Sequence, residues 1–214
     1  MGLNLSAEEL LTTTRSVRKR LDFDRPVDRS IVVECIDLAL QAPSGSNSQG
    51  WQWVVVEDQA KKDAICALYA SNYFAYSKGP RPEYGEGDVR RESMPKVVDS
   101  ATYLAENFSK APFLVIPCIA GRMGEGVPSA AQAGTWGSIL PAVWSFMLAL
   151  RSQGLGSAWT TLHLPSEAEA AEIIGIPYDD YTQAGLFPVA YTKGTDFKPA
   201  KRLPAKDLIH WDTW

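Results

Sequence analysis

Four short stretches of the 214-residue sequence carry side chains that could hold a small ligand. Arg15-Ser16-Val17-Arg18 puts two guanidinium groups and a hydroxyl within four residues. In an extended segment Ser16 and Arg18, two apart, face the same side and could meet one ligand together. Ala42-Pro43-Ser44-Gly45-Ser46-Asn47 is small, polar and rich in turn formers, so it exposes backbone N–H groups and short donors. Trp159-Thr160-Thr161 offers hydroxyls and backbone, and Lys201-Arg202 forms a second cationic pair. Two separated basic clusters in a chain of formal net charge -4 are what a single phosphorylated ligand needs, with the middle segments supplying donors for its polar ring edge and alcohols. Each residue also has a plainer account: Arg15 as a helix-end charge, Ser44 and Asn47 as an ordinary helix-to-strand connection, Lys201 as solvated tail. That account is weakest for Arg18, Ser44 and Arg202, whose motifs coincide.

Other chemistries have little to work with. The chain holds only two histidines, His163 and His210, so a zinc site or a histidine-based triad lacks material. Cys35, Cys66 and Cys118 are far apart and odd in number, which fits buried free thiols in a reducing compartment. No dinucleotide fingerprint, phosphate-binding P-loop, zinc-protease helix or nucleophile elbow occurs. The acidic balance argues against a broad nucleic-acid surface. The N-terminus lacks the basic start and apolar run of a secretory signal, so the expectation is a soluble cytoplasmic protein. Gly126 to Leu150 is free of charge, but Pro128, Ser129, Gln132, Gly134, Thr135, Ser138 and Pro141 interrupt it, which favours a buried helix over a membrane span.

The elements that must position these side chains follow from caps and periodicity. Ser6-Ala7-Glu8-Glu9 reads as a capping box opening a helix to about Thr14. Asp28 caps a second helix, with Ile31, Val32, Cys35, Ile36 and Ala39 on its apolar face, running to Gln41. A strand is expected around 53–56, then a helix capped by Asp58 from about 60 to 73. Residues 78–94, with Pro80, Pro82 and several glycines, read as a loop or flap, followed by a helix over 95–109. Phe113-Leu114-Val115-Ile116 reads as a fully buried strand. Apolar residues around the whole circumference of a long helix over 130–151 predict burial on both sides, with Pro141 kinking it or marking its start. Residues 157–161 read as a short strand, Ser166 as the cap of a helix ending at Gly175, and 184–191 as a strand that Pro188 confines to an edge or bulge. The class is α+β with four or five short strands, and 1–214 reads as one domain.

The order of these motifs resembles the nitroreductase family of FMN-dependent oxidoreductases. Arg15-Ser16-Val17-Arg18 is similar to that family's early Arg-Ser-x-Arg. Ala42-Pro43-Ser44-Gly45-Ser46-Asn47-Ser48-Gln49-Gly50-Trp51 is similar to its Ala-Pro-Ser-x-x-Asn-x-Gln-Pro-Trp. Gly154-Leu155-Gly156 follows the long helix, and Lys201-Arg202-Leu203-Pro204 matches its basic C-terminal signature. The resemblance spans Leu11 to Pro204. Thr14 stands where many members have a further Arg, and Gly50 replaces the Pro before Trp51.

The resemblance implies a central mixed or antiparallel sheet flanked by helices in a domain-swapped homodimer, with FMN at the interface. Residues 192–214 would form an extension packed on the partner. Arg15, Ser16, Arg18, Lys201 and Arg202 would hold phosphate, ribityl and pyrimidine edge from one subunit, while Pro43, Ser44 and Asn47 approach from the other. Trp159, Thr160 and Thr161 would line the flavin face, and Arg18 would stabilise the reduced flavin. The implied activity is ping-pong transfer from NAD(P)H to a small-molecule acceptor such as a nitroaromatic or quinone. Deiodinase-like or flavin-destroying members of the fold, and a flavin-sequestering protein without turnover, are the alternatives.

Overall fold

In the computed structural model, which describes residues 2–214, six helices surround a six-stranded antiparallel sheet. The strands are β1 (Leu21–Asp22), β2 (Trp51–Val56), β3 (Phe113–Ala120), β4 (Leu155–Gly156), β5 (Tyr181–Gln183) and β6 (Phe187–Thr192). They follow the spatial order β1-β6-β3-β2, with β4 added to β6 and β5 to β3. Every ladder is antiparallel, so the mixed alternative drops out.

The helices are α1 (Ala7–Thr13), α2 (Arg29–Ala39), α3 (Gln59–Ser77), α4 (Val89–Asn107), α5 (Ser129–Ser152) and α6 (Glu167–Ile174). Strand alternation divides the core into two layers. Phe113, Val115 and Ile119 of β3, with Phe187 and Val189 of β6, pack with α2 and α5. Leu114, Ile116 and Cys118, with Leu186 and Ala190, pack on the other face with α3 and α4. The two-residue period of the pleat gives each strand two apolar faces, and the helix layers cover both.

The caps behave as read. Ser6 and Glu9 close a full capping box, and Asp28 and Asp58 accept from the backbone of α2 and α3. Boundaries differ where a cap or a long-range partner overrides local punctuation. Asp88 accepts from the Arg90 N–H and starts α4 at Val89, so Pro95 lies inside the helix and only residues 78–88 of the 78–94 stretch lie outside helices. Ser166 makes no side-chain cap, because its hydroxyl instead accepts from Asn72. The strand expected over 184–191 is β6, which begins at Phe187, and a separate short strand, β5, precedes it at 181–183. Pro188 sits in the part of β6 paired only with β3, since β1 and β4 reach residues 190–192 alone, so no ladder bond is lost on its open side.

Helix α5 runs unbroken through Pro141, which does not mark its start. It is long and apolar enough to span a membrane by length and composition, yet its Ile139, Val143, Phe146 and Leu150 are fully buried in the protein core. Burial on both sides is not what the chain shows: Trp144 is 38% exposed and Gly134 and Gly137 are open. The three cysteines are free and buried, and burial pushes each thiol up to about 12.

Candidate functional site

Beyond α1 the chain becomes extended. Thr14 is buried and donates its hydroxyl to the Leu10 carbonyl at 2.6 Å, which secures the helix end where the Arg-rich segment begins. Val17 enters the core, Ser16 is exposed, and Arg15 and Arg18 are half-buried. Val17 donates its N–H to the Ser157 carbonyl at 2.8 Å, and Ser16 and Ser157 form an isolated parallel bridge. The approach needs Gly156: a Cβ there would stand 2.7 Å from Thr192 Cγ2 and 3.0 Å from Val17 Cβ. No other residue leaves the backbone room to close in.

The bridge brings the segment after β4 beside the arginines. Its three predicted residues do different things. Trp159 packs on Phe187, ring centroids 5.5 Å apart. Thr160 is buried and donates its hydroxyl to the Leu186 carbonyl at 2.6 Å, so that hydroxyl serves the fold. Thr161 is exposed. The expected strand over 157–161 is reduced to two isolated bridges, at Ser157 and Thr160.

Arg15, Arg18 and Arg202 share one property: among the described residues none pairs with a carboxylate. Burial and then the adjacent Arg202 guanidinium push Arg15 below its ordinary value. Burial likewise lowers Arg18, against the opposing influence of Tyr69 and Tyr73, and among the described residues its side chain makes one hydrogen bond, to Ser100 Oγ at 3.4 Å. Removing a cation from water without a counter-charge is unfavourable, and that cost falls on the half-buried Arg15 and Arg18, whereas Arg202, close enough to act on Arg15, stays exposed. Ser157 Oγ, on a residue 3% exposed, also lacks a partner among the described residues. Lys201 turns aside to Glu92 of α4 at 3.0 Å, and Arg202 donates to the Lys201 carbonyl at 3.2 Å.

The Pro43–Asn47 loop packs on α5 and makes its hydrogen bonds within itself and to that helix. Ser46, Asn47 and Gln49 adopt φ of 52°, 52° and 48°, a left-handed region that costs non-glycine residues about 1 kcal/mol or more each. The loop holds that shape with its own side chains. Ser44 Oγ accepts from the Gln49 N–H at 3.1 Å, Asn47 Oδ1 accepts from Gln49 Nε2 at 3.0 Å, and the Gly45 N–H donates to Ser138 Oγ of α5 at 2.9 Å. Beside it opens a cleft of about 590 Å³ walled by Ile119 and Ala120 of β3 and by Gly134, Thr135 and Ser138 of α5. Pro43 and Asn47 are exposed.

A partly buried network carries no signal in the sequence. Arg122 grips Glu167 with two hydrogen bonds of 2.9 and 2.8 Å, and that bonding raises the guanidinium further. Glu167 also accepts from the Gln183 N–H at 2.7 Å, and Gln183 Oε1 lies 3.2 Å from Nε2 of the fully buried His163. Burial lowers His163 to about 4, so the ring is neutral at pH 7 and anchors the chain two residues beyond Thr161. No spacing signals this, because the four residues come from different elements.

Comparison with known proteins agrees with the fold. The chain is 26% identical to a Thermus thermophilus protein named NADH dehydrogenase, over 97% of this chain and 96% of that protein. It superposes with a TM-score of 0.67 and 25% identity on NfnB, an FMN- and NADPH-dependent nitroreductase from a sphigopyxis strain, covering 98% of this chain and 100% of that one. Oxidized iodotyrosine deiodinase bound to FMN and 3-iodo-L-tyrosine gives a TM-score of 0.71 at 22% identity, with 97% and 99% covered, a likeness of fold. The sequence model of the Nitroreductase family matches residues 11–191. On that match the chain belongs to the nitroreductase family.

Proposed function

We propose that the protein is an FMN-dependent oxidoreductase that accepts electrons from NAD(P)H and passes them to a nitroaromatic, quinone or similar small acceptor. The observation that carries this reading is the set of guanidinium groups at Arg15, Arg18 and Arg202, two of them half-buried, which lack any carboxylate partner among the described residues. A riboflavin phosphate supplies the missing anion, and the partnerless Ser157 hydroxyl adds a donor or acceptor close by. The family of the chain, and the FMN named for its structural relatives, support the same ligand.

The bound flavin supplies the redox chemistry, exchanging a hydride at N5 in two successive half-reactions. Arg15, Ser16 and Arg202 hold the phosphate and ribityl chain, with Lys201 adding positive potential nearby. Arg18 offers a fixed positive charge that stabilises the negative charge gained on reduction, a contribution that is large where water is scarce. Thr161 and Trp159 border the reacting face, with Thr160 holding their backbone. Pro43, Ser44 and Asn47 reach the flavin of the partner subunit in a domain-swapped dimer. That arrangement draws support from large apolar side chains left open on one chain, among them Val33, Leu38, Trp144, Ile209 and Trp211. The neutral, buried His163 supplies no acid, and two-electron transfer through a flavin needs none. The proposed locality is the cytoplasm.

The test is spectroscopic. Purified protein should be yellow, release a flavin with the mass of FMN, and bleach anaerobically with NADH or NADPH until an acceptor restores the colour. A colourless protein that takes up no added FMN contradicts the reading. Bleaching by neither nicotinamide leaves only a sequestering role.

A further inference from the structure

Arg151 lies in the last turn of α5, 4% exposed, with no carboxylate partner among the described residues. Its Nε and one terminal nitrogen are buried without a hydrogen-bond partner among the described residues. The other terminal nitrogen donates to the Thr195 carbonyl at 2.9 Å and to Thr13 Oγ1 at 3.2 Å. A buried cation so sparsely paired is a poor source of stability. What it fixes is position.

The guanidinium stands 4.9 Å from the centre of the Phe197 ring. Arg20 covers the same ring at 4.1 Å, donates through Nε to the Lys193 carbonyl at 2.9 Å, and pairs with Asp196 at 2.6 Å. Lys193 returns its N–H to the Arg20 carbonyl at 2.8 Å. The turn between them uses Gly194 at φ 76°, where a Cβ would stand 2.8 Å from the Arg20 side chain. Two guanidinium groups and one aromatic ring thus clip residues 193–197, where the chain leaves β6.

Only four residues separate the clip from Arg202, and Pro199 removes slack from them. The next restraint is the Lys201–Glu92 pair, whose side chains are 74% and 56% exposed. An exposed pair of that kind orders a chain weakly. The clip is therefore the firm end of the tether that brings Arg202 beside Arg15.

We infer that Arg151, acting through Phe197 and the Thr195 carbonyl, is a positioning residue for Arg202 and so sets affinity for the phosphate of the flavin. The inference rests on the flavin reading above and adds a residue that touches no ligand.

Equilibrium binding of FMN and of riboflavin to the flavin-stripped full chain tests it. Arg151→Met should weaken FMN roughly tenfold, the loss of one charge-assisted contact, and leave riboflavin unchanged. Arg151→Lys, which keeps a donor and a cation, should recover most of the preference. In an Arg202→Ala background Arg151→Met should cost less than about a further twofold, because both act through one contact. If Arg151→Met does not fold, Phe197→Leu is read by the same two comparisons. An unchanged FMN-to-riboflavin ratio, equal losses for both flavins, or full additivity with Arg202→Ala overturns the clip. Wild-type protein that prefers FMN no more than riboflavin overturns the phosphate reading along with it.

Discussion

Val17 donates its backbone N–H to the Ser157 carbonyl, and this 2.8 Å bond ties the segment carrying Arg15 and Arg18 to the segment carrying Trp159 and Thr161. The two segments are about 140 residues apart in sequence, and one parallel bridge makes them neighbours. The candidate site depends on how closely they approach.

Gly156→Ala should therefore loosen the site as well as the fold. The added methyl would meet Thr192 Cγ2 at 2.7 Å and Val17 Cβ at 3.0 Å, and overpacking of this kind costs about 1–3 kcal/mol. Urea unfolding should show that loss, with weakened FMN binding. Unchanged stability would mean that the strands slide apart freely.

Arg18→Ala removes a half-buried guanidinium whose one hydrogen-bond partner among the described residues is Ser100. Flavin affinity should fall about tenfold to a hundredfold, the range of one or two charge-assisted bonds, and reduction by nicotinamide should slow. Titration of FMN and stopped-flow bleaching report the two effects separately. Unchanged affinity and rate would return Arg18 to the solvated patch that composition alone favours.

Much of the fold is legible in the sequence because its signals are local. Asp28, Asp58 and the Ser6–Glu9 box open helices where they stand, and Phe113–Ile116 reads as buried because both faces are apolar. Asp88 is easily passed over because Pro95 is a louder local signal than a single cap, although a cap decides where the helix begins. The cationic segments can be read from charge and spacing. The inward turn of Thr160 cannot, since it depends on Leu186, which pairs with it across 26 residues. Nor can the His163–Gln183–Glu167–Arg122 chain, whose members meet only in the folded protein.

That chain predicts a pH effect. Burial lowers His163 to about 4 from an ordinary 6.5, so below pH 6.5 the unfolded chain binds a proton that the folded one refuses. The contribution is absent above pH 6.5, and stability falls as pH drops toward 4. The loss is about 2 kcal/mol at pH 5, with the unfolded state binding more protons throughout that window. Urea midpoints of wild type and His163→Gln, compared at pH 7 and pH 5, should converge as the pH falls. A constant difference would show that His163 does not titrate on unfolding in this range.

Arg122→Met leaves Glu167 holding only the Gln183 N–H at its carboxylate. With the side chains 26% and 12% exposed, the pair lies between surface and core, and its rupture should cost about 2 kcal/mol. Thermal or urea unfolding measures this. A loss under about 0.5 kcal/mol would class the pair with ordinary surface bridges.

The central claim is that unpaired arginines await a phosphate, and the direct measurement is the affinity of the stripped wild-type chain for FMN against riboflavin at low and high salt. The account predicts FMN at least about a hundredfold tighter at low salt, with an advantage that shrinks as salt rises. Equal affinities at both salt concentrations would contradict it.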